Sequence, residues 1–255
     1  MKLKYVVTSV LALLLLGLAI FQVQATSASN KSPNEYKADT VDEIVAKTNR
    51  MHETYWTEGW LHFKTLEQSF IPNESLLPNG EKVPTQTAQE MWLLLDKKGY
   101  VQEAVQISDS GSEYTHQISF YKNGKWTNLS DHQELLQEKI KPELDFGFGQ
   151  KVSQYGEKLK LDKRFNEIKG KEYTEYSIIG NSDGLVSTGK QKDGSDILVK
   201  GFKQALFFLP GSDAPSIAQA IRILPDGEEQ LEYQVEILLV EQLQTIPANI
   251  TQYLK

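Results

Sequence analysis

A serine flanked by glycines is the first feature of the sequence whose type and spacing could do chemistry. Gly180-Asn-Ser182-Asp-Gly184 matches the G-x-S-x-G pattern of the nucleophile elbow in serine hydrolases, and a strand-like pattern precedes it. The elbow needs a helix directly after the serine and a histidine later in the chain. Leu-Val-Ser-Thr-Gly follows instead, and all four histidines come earlier: His52, His62, His116 and His132. The pattern therefore predicts a Ser-Asp-Gly turn and no hydrolase.

Phosphate and metal motifs are incomplete in the same way. Residues 184–190 approach a P-loop, but Gln191 stands where a hydroxyl should reach magnesium, and no helix pattern follows. Asp183, Asp193 and Asp196 lack the order of an EF-hand calcium loop. The histidines do not have the spacing of zinc ligands, and the chain has no cysteine for thiol catalysis, Cys-ligated zinc or disulfides. The sequence predicts a protein that is not an enzyme and holds no cofactor or metal.

The elements that must position any site are mostly strands. Between Met91 and Leu129, Ile118 and Phe120 alternate with residues of the opposite face, which is the period of two of a half-buried strand. Asn123-Gly124 supplies two residues that tolerate the positive φ of a type I′ hairpin turn. A two-residue turn there places Tyr121 opposite Trp126.

Two helices are predicted from capping patterns. Thr40 and Glu43 form a capping box, and apolar residues then follow at helical spacing to about Glu53. Asp131 and Glu134 have the same spacing, so a second helix is predicted from Asp131, with Leu135, Leu136 and Ile140 as its apolar stripe.

Other segments leave alternatives open. Gln150–Lys169 suits a helix or a charged loop, Gly180–Gly201 a mobile loop or a short exposed hairpin, and Ile71–Thr87 a long loop or irregular hairpin tip. Further strands are predicted over Glu172–Ile179, Ala205–Leu209, Ile217–Leu224 and Glu229–Leu243. About eight or nine hairpin-linked strands, interrupted by single helices, predict an α+β fold with an antiparallel sheet.

The N-terminal residues have the character of a targeting segment. Lys2 and Lys4 precede an apolar run from Tyr5 to Phe21, and Val23-Gln-Ala25 fits a signal-peptidase site. Residues 1–25 are therefore a predicted signal peptide or an uncleaved N-terminal anchor, 26–38 a flexible linker, and 39–255 a single domain outside the cytoplasm. Membrane attachment is expected only if the segment stays uncleaved.

The charge of the chain excludes one class of partner. The formal net charge is -7, and loss of the signal with its two lysines makes it -9. Such a surface does not favour nucleic acid or electrostatic docking on anionic lipid.

The order of these elements resembles a known family. It is similar to the order of elements in the bacterial lipoprotein-carrier fold. An amphipathic helix is followed by a short aromatic strand, a meander with a tight turn before its Trp, and an inserted helix. The chain then ends with a Pro225-Asp-Gly227 hairpin that leads to a long strand and Leu243-Gln-Thr-Ile-Pro247. The periplasmic carrier, its outer-membrane receptor and a periplasmic regulator that senses envelope stress share that fold. The resemblance implies a curved antiparallel sheet, an incomplete β-barrel, with two or three helices covering its open side and an apolar interior.

The surplus of aromatic and apolar residues either fills the core or lines such an interior. If it lines a cavity, the predicted ligand-binding residues are Trp60, Phe63, Trp92, Ile118, Phe120, Leu136 and Phe207. The expected partner is then a lipid, a lipidated protein or another apolar ligand. The alternative is a regulatory or envelope-associated module that binds a protein through the sheet edge or the loops 71–87 and 180–201.

Overall fold

An open antiparallel sheet organises the chain in the computed structural model, which describes residues 38–70, 80, 85–111, 115–137, 140–142, 160–190 and 196–255. Within these residues eleven strands pair in the order β6-β5-β4-β3-β2-β1-β11-β10-β9-β8-β7. Every pairing is antiparallel, and the end strands β6 and β7 are not paired with each other. The predicted class, α+β with an incomplete antiparallel barrel, is confirmed.

The strands follow one another mainly through hairpins. Their bounds are β1 Gly59–Ser69, β2 Gln86–Leu95, β3 Val101–Asp109, β4 Gln117–Lys122, β5 Lys125–Asn128, β6 Glu134–Leu136, β7 Lys160–Ile168, β8 Lys171–Lys190, β9 Asp196–Phe208, β10 Ile217–Ile223 and β11 Glu229–Leu243. The long pairing of β1 with β11 joins the first and last strands of the chain at the middle of the sheet.

Helices lie against both faces of this sheet. Helix α1 spans Ala38–Tyr55, close to the predicted bounds, and a short helix α2, Ala248–Thr251, continues as a 3-10 turn over Gln252–Leu254. We call the face that carries Leu61, Phe63, Thr65 and Glu67 the α1 face, because Met51 of α1 packs there on Phe63. The opposite face, with Trp60, His62 and Lys64, is the C-terminal face.

The hairpin around Asn123-Gly124 forms as predicted. Both residues have positive φ, 53° and 77°, and Tyr121 pairs with Trp126 at a ring-centroid distance of 5.4 Å. The two rings pack on the α1 face, against Leu93 and Leu95 among others. Ile118 and Phe120 point to the opposite face, as the alternation requires.

The second predicted helix is wrong. Asp131 accepts a hydrogen bond from the backbone N–H of Gln133, so its capping ability closes a turn instead. His132 has a φ of 55°, which a right-handed helix does not accommodate. Residues 134–136 pair with β5 as the edge strand β6, and Leu136 is 72% exposed there.

Two ambiguous segments are also strands. Residues 160–168, expected in a helix or charged loop, form the edge strand β7. For Gly180–Gly201 the hairpin alternative is confirmed, because β8 and β9 pair as far as Lys190 and Asp196. The glycine-flanked serine segment lies within β8, so the predicted Ser-Asp-Gly turn is wrong, and no helix follows it either.

Some expectations lie outside the described residues. These are the signal peptide or anchor, the linker up to residue 37, the loop residues 71–79 and 81–84, residues 150–159 of the segment predicted as a helix or charged loop, and residues 191–195 of the segment predicted as a loop or hairpin. Among the residues that are described, no helix is long and apolar enough to cross a bilayer.

Candidate ligand-binding site

The predicted ligand-binding residues are divided among several parts of the sheet. Trp60, Trp92, Ile118 and Phe120 come together on the C-terminal face. Phe63 lies on the α1 face, Leu136 on the edge strand β6, and Phe207 in a separate cluster with Tyr173, whose ring stands edge-on at 6.4 Å. The structure thus brings four of the seven together. That these residues contact a ligand stays a prediction.

The C-terminal end of the chain covers the group of four. Ile250 and Leu254 are buried against Trp92 and Val105, and Lys122 Nζ donates a hydrogen bond of 2.8 Å to the carbonyl of Leu254. The indole N–H of Trp92 has no acceptor among the described residues, although the ring is only 4% exposed. This part of the C-terminal face is therefore occupied by the protein itself.

A buried histidine stands beside that cluster. The ring of His62 stacks on Trp92 at 4.9 Å, with Nδ1 2.8 Å from Glu241 and Nε2 2.8 Å from Glu90. Although burial acts to raise it, hydrogen bonds and charge from Lys64 and His62 leave the pKa of Glu90 below its usual value. Through these contacts the side chain of His62 on β1 joins Glu90 on β2 to Glu241 on β11.

The α1 face has an apolar end formed by aligned residues of neighbouring strands. Its buried members are Leu61, Met91, Leu93, Leu95, Val101, Ala104, Tyr121 and Trp126. Tyr55 and Trp56, at the end of α1, pack against them. The side chain of Met51, on α1, is 1% exposed and packs on the sheet.

Polar contacts hold α1 across the other half of the sheet. Glu43 accepts hydrogen bonds from Tyr176 on β8 and, at 2.6 Å, from Lys163 on β7. Burial and the Glu43 carboxylate raise the pKa of Tyr176, whereas Lys163 and Tyr176 outweigh burial and lower the pKa of Glu43. Arg50 meets Asp213 at 2.8 Å. A helix of this length spans ~27 Å, enough to cross about five strand spacings from β7 to β1.

A row of polar side chains crosses the other end of the α1 face. We call it the polar band; its members are Glu67, Gln89, Gln106, Ser108 and Tyr233. Tyr233 donates a hydrogen bond to the Glu67 carboxyl, and Gln89 makes another. Gln106 donates to the side-chain oxygen of Gln89 at 2.9 Å and to Ser108 at 3.4 Å. The band is thus one connected network over β11, β1, β2 and β3.

Burial gives the band an unusual charge state. Burial raises the pKa of Glu67 to about 7, against the opposing effect of the hydrogen bonds from Tyr233 and Gln89. Burial and the neighbouring Glu67 also raise the pKa of Tyr233. A carboxyl whose pKa burial raises in this way is a candidate for a functional group.

A cleft opens at the apolar end. It has a volume of about 540 Å³ between the β2–β3 and β4–β5 turns, and its lining includes Lys98, Tyr100, Val101, Tyr121 and Asn123. Since a strand rises ~3.3 Å per residue, roughly 23 Å of β3 separates Val101 at the cleft from Ser108 in the polar band. The cleft, the apolar wall and the polar band therefore lie along the same strands.

The polar band was not predicted from the sequence, although a signal for it exists. In β1 the inward positions run Leu61, Phe63, Thr65 and Glu67, so the alternation places polar residues on a face that begins as apolar.

Among the described residues no group of three His, Cys, Asp or Glu side chains could hold a metal ion.

Comparisons with known proteins give distant likenesses in fold. No family model and no curated protein matches the chain. Solved structures similar to it include LprF from Mycobacterium bovis (10% identity, 86% of this chain and 100% of that one, TM-score 0.41). The lipoprotein LppX of Mycobacterium tuberculosis (8% identity, 84% and 100%, TM-score 0.41) is another. A LolA superfamily protein from Nitrosomonas europaea (11% identity, 82% and 96%, TM-score 0.33) is a third.

One of these neighbours carries in its name the superfamily that the order of elements resembles. At such identities and TM-scores the alignments transfer no residue and no ligand to this chain.

Proposed function

We propose that this protein is an extracytoplasmic, non-enzymatic binding protein for a lipid, a lipidated protein or another apolar ligand, held on the α1 face of its incomplete barrel. The observation that carries the proposal is the composition of that face. An aromatic and aliphatic wall, with Leu61 and Phe63 at its centre, ends in a small set of converging polar groups, and a cleft opens beside it. Ligand sites are mostly apolar concavities with a few fixed polar groups.

Burial of an alkyl chain would supply the affinity. Each buried CH₂ contributes about 0.8 kcal/mol, so a chain of about ten such groups gains roughly 8 kcal/mol before the costs of association. Micromolar binding corresponds to about 8 kcal/mol, which makes weak to moderate binding of single-chain lipids the expected range.

The extracytoplasmic location is part of the proposal. It is supported by the basic start, the apolar run and the small-residue site within residues 1–25. A protein that binds lipids would find its ligands in a compartment next to a membrane, whether residues 1–25 are cleaved or stay as an anchor.

Displacement of a fluorescent fatty acid, combined with native mass spectrometry, tests the binding. We expect a co-purifying or displaceable lipid in the wild-type protein, and at least several-fold weaker binding after Phe63→Ala, because Phe63 belongs to the apolar wall on which the ligand is proposed to lie. Phe165→Ala is the matched control, since that ring is 83% exposed on the edge strand β7.

Two outcomes would contradict the proposal. If the folded protein has no bound or displaceable apolar ligand, the proposed binding function is wrong. Loss of binding with Phe120→Ala but not with Phe63→Ala would move the ligand to the C-terminal face, where Trp60, Trp92 and Ile118 lie.

A second candidate function is a protein-binding regulatory or envelope-associated module without a small ligand. Both edge strands carry exposed large apolar side chains, Leu136 at 72% and Phe165 at 83% exposure. Edge strands offer unpaired backbone groups to another chain. A pull-down from the native envelope tests it, with Leu136→Ser and Phe165→Ser proteins and with deletions within the segments 71–84 and 191–195, which lie between strands. Retention of every partner by all these variants would reject it.

A further inference from the structure

The α1 face changes from apolar to polar in the same direction on three adjacent strands. On β1, Leu61 and Phe63 give way to Thr65 and Glu67. The partners on β2 change at the same level, since Leu93 and Met91 face Leu61 and Phe63, whereas Gln89 faces Thr65. On β3, Ser108 pairs with Gln89 and continues the polar end. A long amphiphile would find its two ends matched by the two ends of this face.

The side chains of the polar end are too buried to be ordinary surface residues. Thr65, Gln89, Gln106 and Ser108 are between 3% and 7% exposed. Gln106 and Ser108 join the network through Gln89. Glu67 itself receives donors from Tyr233 on one side and Gln89 on the other. A carboxylate accepts up to about four hydrogen bonds, so Glu67 has acceptor capacity left.

The charge at this end is unbalanced. On the same face of the neighbouring strands, the described charged or titratable groups are Arg222 on β10 with Tyr233 and Glu232 on β11, while β2 supplies only uncharged groups such as Thr87 and Gln89. Arg222 is engaged by Glu232, so that pair is neutral. No described lysine, arginine or histidine pairs with Glu67. When ionised, it therefore leaves the polar end with one uncompensated negative charge.

We propose that the polar band receives the head group of a single-chain amphiphile, and that Glu67 selects heads that donate hydrogen bonds, such as a hydroxyl or an ammonium, over carboxylate heads. This inference rests on the proposed function and specifies its ligand. The ionised carboxyl can only accept hydrogen bonds and repels an anion, whereas a donor head uses its free lone pairs. Forming or losing one hydrogen bond to a charged group in a buried site changes the affinity on the order of tenfold or more.

Competition among dodecanol, dodecylamine and dodecanoate for a bound fluorescent alkyl probe tests the selectivity. The three share one tail, so differences report the head group. At about pH 8.5, where Glu67 is mostly ionised, we expect the alcohol and the amine to bind on the order of tenfold more tightly than the carboxylate. The preference should shrink at about pH 5.5, where Glu67 is protonated.

Variants separate the role of Glu67 from that of the tail. Glu67→Gln keeps the shape and removes the charge, so the discrimination against dodecanoate should largely disappear. Tyr233→Phe keeps the charge and removes one donor, so the discrimination should remain. Glu172→Gln, exposed on β8, is the control and should behave as wild type. Urea unfolding of each variant establishes that it is folded.

The results distinguish this inference from the function on which it rests. Equal affinity for all three heads in the wild-type protein, or a preference that Glu67→Gln leaves unchanged, would overturn the selectivity while alkyl binding stands. If Glu67→Gln does not fold, a wild-type preference that is the same at both pH values overturns it. Failure of all three amphiphiles to displace the probe, together with absence of any co-purifying lipid, would overturn both.

Discussion

Replacing Glu67 by glutamine should make the unliganded protein more stable at alkaline pH. Burial raises the pKa of this carboxyl from 4.5 to about 7, and the hydrogen bonds from Tyr233 and Gln89 offset burial only in part. Such a difference corresponds to roughly 3 kcal/mol between the protonated and the ionised forms. Glutamine can keep the accepting oxygen for Tyr233 and cannot ionise, so the substitution isolates the charge.

The sign follows from the direction of the pKa change. Because the folded-state pKa lies above that of the unfolded chain, the contribution of Glu67 is complete below about pH 4.5 and is lost as pH rises through about 7. At about pH 4.5 the wild-type and Glu67→Gln proteins should have nearly the same free energy of unfolding. At about pH 8.5 the glutamine protein should be more stable by roughly 3 kcal/mol.

Urea unfolding followed by tryptophan fluorescence at both pH values measures this difference. Groups that titrate elsewhere in the chain cancel when the two proteins are compared at one pH. Glu172→Gln, on the exposed side of β8, should show no pH-dependent difference of comparable size. A stability difference between wild type and Glu67→Gln that is equal at both pH values would refute the assignment of a near-neutral pKa to Glu67.

Further substitutions test the packing on each face and the hairpin turn. Met51→Ala should lower the free energy of unfolding by about 2–5 kcal/mol, because the Met51 side chain of α1 is buried against Phe63. If the urea midpoint of this variant is close to that of the wild-type protein, α1 is not docked there. Ile250→Ala should cost a similar amount, about 2–5 kcal/mol, and should change the fluorescence of Trp92 beneath it; an unchanged spectrum and midpoint would contradict the packing. Gly124→Ala should destabilise by about 1–2 kcal/mol, since φ is 77° there, and calorimetry that shows no loss would argue against the type I′ turn.

Local signals were sufficient for some elements. The Asn123-Gly124 turn, the Pro225-Asp-Gly227 turn before β11 and the helix from about Thr40 all depend on residues close in sequence, and the structure contains each of them. Their backbone preferences act within a few residues, so distant contacts do not need to be known.

Competition between local signals explains the main error. The Asp131–Glu134 spacing suits a helix, but Asn128 and Asp131 both use their side chains to accept backbone N–H groups in tight turns. Residues 134–136 then form backbone hydrogen bonds to β5. A short isolated helix over the same residues would be only marginally stable in water. β7 was missed for a related reason: as an edge strand it buries little, so it lacks clear alternation.

Several properties can be read from the residues alone: an acidic chain without disulfides, an apolar N-terminal run, a meander of alternating strands and a capped helix. The alternation also determines that Phe120 and Tyr121 point to opposite faces. Which helix covers which face is visible only in the folded chain, because it depends on the pairing of β1 with β11 and on contacts between distant segments. Glu67 and Tyr233 meet by this pairing alone, and burial of the carboxyl, which local sequence does not specify, is the source of its raised pKa.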